Sequence, residues 1–266
     1  MKIVLGGSSI KLYSHTTQVK KSVLLFLVLV CVHFGAWSFT FEANQWHNFA
    51  GKLKGKMVYL ALFQTNDGVV KGSYSDCDGN SKVILSGKLT GKQIKLNGYL
   101  KGKIIEVFDL KNISDSTDRL QGTFVSNGKE RFNVSFRFES TGSGNLEHKY
   151  ADFYGVDDDV EQFMADIKTA VKEGNKSWLA KNVHYPIVVN IGSNKKQTIK
   201  NQTQFLQQYN KIFNPVYKKK ILESCTCNLF ANYNGVMLGD GEIWINQKPG
   251  STEQSYDFVI ITINNF

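Results

Sequence analysis

Between residues 49 and 139 the chain alternates. Six short runs are rich in β-branched and aromatic residues: Met57-Val-Tyr-Leu-Ala-Leu-Phe63, Val69-Val-Lys-Gly-Ser-Tyr74, Lys82-Val-Ile-Leu85, Gln93-Ile-Lys-Leu96, Ile104-Ile-Glu-Val-Phe108 and Phe132-Asn-Val-Ser-Phe-Arg-Phe138. Gly, Asn and Asp separate them at intervals of about 8–12 residues, the spacing of a sandwich or barrel. A period of two sends successive side chains to opposite faces, so these runs read as half-buried strands. The pattern also repeats. Gly51-Lys-Leu-Lys-Gly-Lys-Met-Val-Tyr-Leu60 returns as Gly87-Lys-Leu-Thr-Gly-Lys-Gln-Ile-Lys-Leu96, and Val70-Lys-Gly-Ser-Tyr74 returns as Leu120-Gln-Gly-Thr-Phe124. A repeated strand–turn–strand unit predicts an antiparallel up-and-down meander or barrel. The Gly-Lys pairs fit hairpin turns, where glycine accepts positive φ and lysine faces water.

From about Tyr150 the period changes. Val160, Phe163, Met164, Ile167, Ala170 and Val171 recur at helical spacing, which predicts an amphipathic helix over 157–172. The acidic triplet Asp157-Asp-Asp159 heads it, where carboxylates suit the helix dipole, and it reads as a cap rather than a calcium or magnesium site. Glu173-Gly-Asn breaks the helix and Ser177–Asn182 restarts it. A hairpin follows over 187–200, then a helix over 201–212, then strands near 229–233, 236–238, 241–245 and 258–263. The fold class is therefore two domains: an all-β antiparallel barrel at 39–148 and an α+β domain with a curved antiparallel sheet at 149–266.

The first 38 residues carry Lys2, Lys11, Lys20 and Lys21 and no acid. An apolar run from Val23 to Phe34 and then Ala36-Trp37-Ser38 give the order of an export signal, with a cut after Ser38. The protein is read as periplasmic or secreted. The alternative is an inner-membrane anchor through residues 22–37, the one route by which a membrane enters this reading. Beyond residue 38 the charge falls to 28 basic against 23 acidic residues, and the excess lies in 39–150, with 16 against 11. Basic runs that bind nucleic acid are denser and interleaved with aromatics, so nucleic acid is not an expected partner. Lys218-Lys219-Lys220 reads as an exposed helix end.

Three cysteines remain after the signal: Cys77, Cys225 and Cys227. A bridge between Cys225 and Cys227 would be strained by their spacing. The simplest reading makes all three packing residues. The alternative joins Cys77 to one of the other two and staples the halves together. No His pair accompanies the thiols, so neither a metal nor a cofactor is expected. Four Asn-x-Ser/Thr sequons, at Asn112, Asn133, Asn175 and Asn201, are treated as incidental.

Two resemblances extend this. The motifs G-x-[IL]-x-G-x-x-[VI]-x-L, V-x-G-x-Y and L-x-G-x-[FW] in the first half resemble β-domains of bacterial envelope proteins that look like small calycin or avidin-style barrels. In the second half, Val183-His-Tyr-Pro-Ile-Val-Val189, the helix Phe205–Phe213 and Gly235-Val-Met-Leu-Gly-Asp-Gly-Glu-Ile-Trp244 are similar to an envelope module of the nuclear-transport-factor-two-like superfamily, an α+β cone. Neither resemblance carries catalytic residues.

No nucleophile elbow, phosphate loop or dinucleotide fingerprint is present. The leading expectation is an exported, non-catalytic module that binds an envelope protein or a small ligand, with an inhibitor or immunity protein as one form of it. Trp178, Tyr209, Trp244 and Glu242 are its ligand-binding candidates. The alternative is an isomerase- or dehydratase-like enzyme using Asp240 and His184 as an acid–base pair. A competing reading makes Gly239-Asp240-Gly241 a hairpin turn and His184 a strand-edge residue.

Overall fold

The computed structural model describes residues 41–77, 82–112, 118–150, 152–192 and 195–265. The segment read as an export signal, with its cut after Ser38 and its anchor alternative at 22–37, lies outside the described residues. Phe39–Phe266 is one compact unit, built from a closed barrel and a helix-bearing sheet.

The barrel has eight strands: β1 (Trp46–Leu53), β2 (Lys56–Gln64), β3 (Val69–Asp76), β4 (Val83–Thr90), β5 (Gln93–Leu100), β6 (Lys103–Asn112), β7 (Arg119–Ser126) and β8 (Glu130–Gly142). Each pairs antiparallel with its neighbour in sequence, and β1 closes the cylinder by pairing with β8. The period of two does what was expected of it. Leu60 and Leu62 on β2, Ile94 and Leu96 on β5, and Phe108 and Leu110 on β6 belong to one interior cluster. With Phe49, Phe124 and Phe136 also fully buried there, the interior is a packed core, as the width of an eight-stranded barrel allows. Glu106, an acid on the inward face of β6, accepts a hydrogen bond from the Tyr74 hydroxyl, and burial raises its carboxyl above the usual range.

Strands β1 and β7 lie outside the six runs read from the sequence. Each carries a glycine, Gly51 and Gly122, and each falls in part within a repeat, Gly51–Leu60 or Leu120–Phe124, that marks it in the sequence. The reason for the glycines is tertiary. A β-carbon at Gly122 would collide with the Asp109 carbonyl oxygen, and one at Gly72 with that of Ala61, so the matched motifs place their glycine where the adjacent strand comes closest.

The second domain runs α1 (Asp157–Glu173), α2 (Lys176–Lys181), β9 (Val183–Ile191), β10 (Lys195–Ile199), α3 (Gln202–Ile212), α4 (Pro215–Glu223), β11 (Phe230–Asn232), β12 (Gly235–Leu238), β13 (Ile243–Gln247) and β14 (Phe258–Asn265). Three helices start at asparagine caps: the side chains of Asn175, Asn201 and Asn214 accept from the backbone N–H of Trp178, Gln204 and Tyr217. Two of the sequon asparagines are thus helix starts. The Lys218–Lys220 triple sits on α4, a helix of its own that Pro215 opens. Val160, Met164, Ile167, Ala170 and Val171 bury one face of α1 in a core shared with Phe205, Tyr209, Phe213 and Tyr217. The sheet order is β10-β9-β14-β13-β12-β11. One detail departs from an all-antiparallel sheet: β14 pairs parallel with β9, which makes the sheet mixed.

Among the described residues no helix is long and apolar enough to cross a membrane.

Candidate functional site

The two domains are welded by residues that alternate between covalent, polar and buried contacts. Cys77, just after β3, is disulfide-bonded to Cys225, just after α4, across 148 positions and with their Cα atoms 4.5 Å apart. The structure thus pairs Cys77 with Cys225 and leaves Cys227 as a buried thiol. Nothing in the spacing selects Cys225 over Cys227, and the choice follows from the path of one segment, Ser224–Phe230, along the outside of β2 and β3. The unpaired Cys227 is buried, its Sγ 3.2 Å from the Asp76 carbonyl oxygen, and burial pushes its thiol up. Asn228 turns in the left-handed region (φ 48°) and reaches the barrel. Its amide group donates to the Tyr59 carbonyl at 2.9 Å, and its carbonyl oxygen accepts from the Ser73 hydroxyl at 3.3 Å.

Of the acidic triplet at the start of α1, Asp158 reaches the barrel, while Asp157 and Asp159 bond within the second domain and Asp159 caps the helix by accepting from the Val156 N–H. Asp157 accepts from the backbone N–H of Lys149 and Tyr150, Asp158 pairs with Lys82 of the barrel at 2.8 Å, and Asp159 accepts from the Tyr256 hydroxyl at 2.7 Å. One turn on, Glu161 accepts from the Asn228 N–H and the Tyr150 hydroxyl, and its other oxygen is 3.3 Å from Lys82. Lys149 is the unusual member. Only 3% exposed, it donates to the Asn48 side chain at 2.7 Å. Burial pulls its ammonium down to about 7, with Glu161 acting in the opposite sense.

Beside this weld opens a cleft of about 720 Å³ that both domains line. The barrel supplies Met57, Tyr59, Arg137 and Glu139, and the second domain supplies Lys220, Glu223, Phe230, Met237, Asp240 and Glu242. Cys225 lines the cleft as well, so the staple is part of its wall. Arg137 and Glu139 pair at 2.9 Å. Glu242 is buried, and its carboxylate accepts from the Asp240 N–H at 2.7 Å, closing the turn between β12 and β13. Gly239 in this turn has φ 62°, and a β-carbon there would run into the Glu242 carboxylate and the Ser224 hydroxyl. Gly239-Asp240-Gly241 is thus a turn in the structure, held by Glu242 rather than by the Asp240 side chain.

A second cleft, also about 720 Å³, lies within the second domain against α1, α2 and β14. Phe163, Trp178, Tyr185, Tyr256 and Phe258 line it, together with His184. Phe163 sits 5.7 Å from both Trp178 and Phe258, so the rings form one continuous wall.

The sequence candidates therefore separate. Asp240 and Glu242 line the seam cleft, while Trp178 and His184 line the aromatic cleft. The structure does not bring Asp240 and His184 together as an acid–base pair. Tyr209 lines neither cleft. It is buried in the core, stacked on Phe213 at 5.0 Å, with Lys176 and Lys218 over its ring. Trp244 stands next to the seam cleft, its ring edge-on to Phe230 at 6.2 Å. Sequence reasoning missed the barrel side of the site, Tyr59 and Arg137 above all. The only available signal was that both are outward positions on alternating strands, which applies equally to many others.

No protein-family model, curated protein or solved structure matches this chain.

Proposed function

We propose that the chain is an exported, non-catalytic binding protein whose ligand seats in the cleft between the barrel and the second domain. One observation carries this reading: residues from both domains line a single cleft whose walls are locked together by the Cys77–Cys225 bridge and by the buried contacts of Asn228, Lys149 and Glu161. A site fixed in this way loses little conformational freedom on binding, which favours recognition. Its lining combines Met57, Tyr59, Phe230 and Met237 with charges of both signs, which suits a peptide segment of an envelope protein or a small amphipathic ligand. An inhibitor acting on an envelope enzyme is one form this would take. The calycin-like and cone-like readings of the two domains belong to the same proposal. They are supported by the eight-strand meander and by the order of helices, hairpin and sheet.

Site-specific photo-crosslinking in the exporting cell tests it. A photoreactive residue at Met237 should give one discrete adduct, and the same residue at the exposed Val188 of β9 should not. A Tyr59→Arg change opposite should remove that adduct without altering the melting curve. Equal labelling at both positions, or none at Met237, would exclude the seam cleft as the binding site.

A further inference from the structure

Two hairpin ends of the barrel are near copies: Leu53-Lys54-Gly55-Lys56-Met57 and Leu100-Lys101-Gly102-Lys103-Ile104. Both are two-residue turns, with φ 48° and 82° at Lys54 and Gly55, and φ 50° and 75° at Lys101 and Gly102. That is the type I′ geometry that right-twisted strands prefer. A third turn, Asn127-Gly128-Lys129, also enters the left-handed region, at φ 50° and 68°. In an up-and-down barrel alternate connections emerge at the same end. The β1–β2, β5–β6 and β7–β8 turns therefore lie together. These three contiguous turns bring Lys54, Lys56, Lys101, Lys103, Lys129 and Arg131 together, all exposed, with Glu130 as the one acid among them, while the fourth connection at this end, β3–β4, carries Asp76 and the Cys77 bridge to the second domain. Lys54 folds across the barrel mouth to the Ser126 hydroxyl at 2.7 Å, over the Phe124 and Phe132 rings. The other five make no ion pair among the described residues. At the opposite end the described turn residues are mixed, with Asp67, Lys92 and Asp118.

The cationic rim is also apolar. Met57, Leu100 and Ile104 flank its turns and are 44%, 39% and 57% exposed. The apolar surface continues down the outer face, where Tyr99 lies opposite both Ile84 and Ile104 in the strand pairing, with Ile84 51% exposed. Charged turns on a dissolved protein are ordinary. Aliphatic side chains left open between those same lysines are not, since each exposes apolar area to water that an uncharged turn residue would not.

We propose that this end of the barrel docks on an anionic phospholipid surface, with the lysines in the headgroup layer and Leu100 and Ile104 entering the acyl boundary. The shape favours lipid over other polyanions. The cations sit on separate hairpin tips rather than in a continuous basic stripe along one element. The Phe124 and Phe132 rings lie under Lys54 rather than standing free to stack a base. A fluid interface accepts separate tips that each bring a cation and an aliphatic neighbour. None of the rim cations lines the seam cleft; Met57 and the β3–β4 connection, whose Cys77 is bridged to Cys225 of the cleft wall, lie at the shared edge, so the surface stands or falls independently of the ligand proposed there.

Vesicle flotation of the full chain tests it. Phosphatidylcholine vesicles with and without phosphatidylglycerol are compared at low and high salt, so that any contribution of residues 22–37 is common to every arm. The wild type should float preferentially with the anionic vesicles, and salt should abolish the preference. K56E/K101E/K103E/K129E should bind them about fivefold more weakly for each cation lost. L100S/I104S should bind more weakly while keeping the anionic preference. The charge-matched K195E/K196E/K211E/K248E variant, on the second domain, should behave as wild type. Circular dichroism establishes that each variant is folded. Three results would overturn the proposal: no preference in the wild type, an equal loss in the charge-matched variant, or capture by heparin through the same four lysines with no vesicle binding.

Discussion

Every barrel strand pairs with its neighbour in sequence, and only the β1–β8 contact joins distant residues. The second domain instead sets its last strand, β14, in the middle of the sheet between β9 and β13. The barrel can therefore assemble hairpin by hairpin from local contacts, each fixing the next at low loop-closure cost. The second domain cannot complete its sheet until β14 is in place. Two bodies of similar size thus differ in how much of their order is local, and the seam has to hold together parts that form by different routes.

The largest effect should come from removing that last strand. A chain ending after Asp257 lacks the strand that joins β9–β10 to β11–β13. The second domain should lose its amide protection altogether while the barrel keeps most of its own. Hydrogen exchange resolved by segment reads this directly. If the barrel loses protection to the same extent, the two bodies are one cooperative unit and the contrast between them fails.

Next in size is the staple. C77S/C225S opens a cross-link spanning 148 positions, which should lower stability by about 3–5 kcal/mol, and a reductant should bring the wild type to the same melting point. A melting point insensitive to both would mean that the polar contacts of Asn228 and Glu161 suffice to hold the seam.

The smallest expected effect concerns Lys149, and its sign is opposite to that of a lysine gaining an ion-pair partner. Its folded pKa is pulled down to about 7, below the ordinary value of 10.5, so between those limits the unfolded chain holds the extra proton. Stability therefore rises with pH across that window, and below about pH 7 the penalty of the buried charge is fully present. From pH 7 to 8.5 the wild type should gain about 2 kcal/mol, at roughly 1.4 kcal/mol for each pH unit. Lys149→Met should flatten that rise, and denaturant unfolding at the two pH values measures both. Equal slopes for the two proteins would place the ammonium in contact with water.

Much of each domain was legible because its signals are local. The alternation in Met57–Phe63, the helical spacing from Val160 to Val171 and the Gly-Lys turns each depend on residues within a turn or two of one another. Strands β1 and β7 lie outside the six alternating runs and showed through the repeats Gly51–Leu60 and Leu120–Phe124, whose glycines serve the approach of a neighbouring strand. The site was less legible. Trp178, His184, Asp240 and Glu242 were picked out by residue type, but two distinct clefts divide them, and Tyr209 went to the core because it sits on the apolar face of α3.

The sequence by itself determined the two kinds of repeat, period two and then period 3.6, and with them an antiparallel β half and a mixed helix–strand half. Tertiary structure alone decided that eight strands close, that Cys77 takes Cys225, that β14 runs parallel to β9, and that two Leu-Lys-Gly-Lys turns 47 positions apart share one rim. The physical reason is the range of the forces involved. Side-chain periodicity and turn preference act over a few residues, whereas closure, disulfide choice and the gathering of charge depend on which distant segments the packed cores bring side by side.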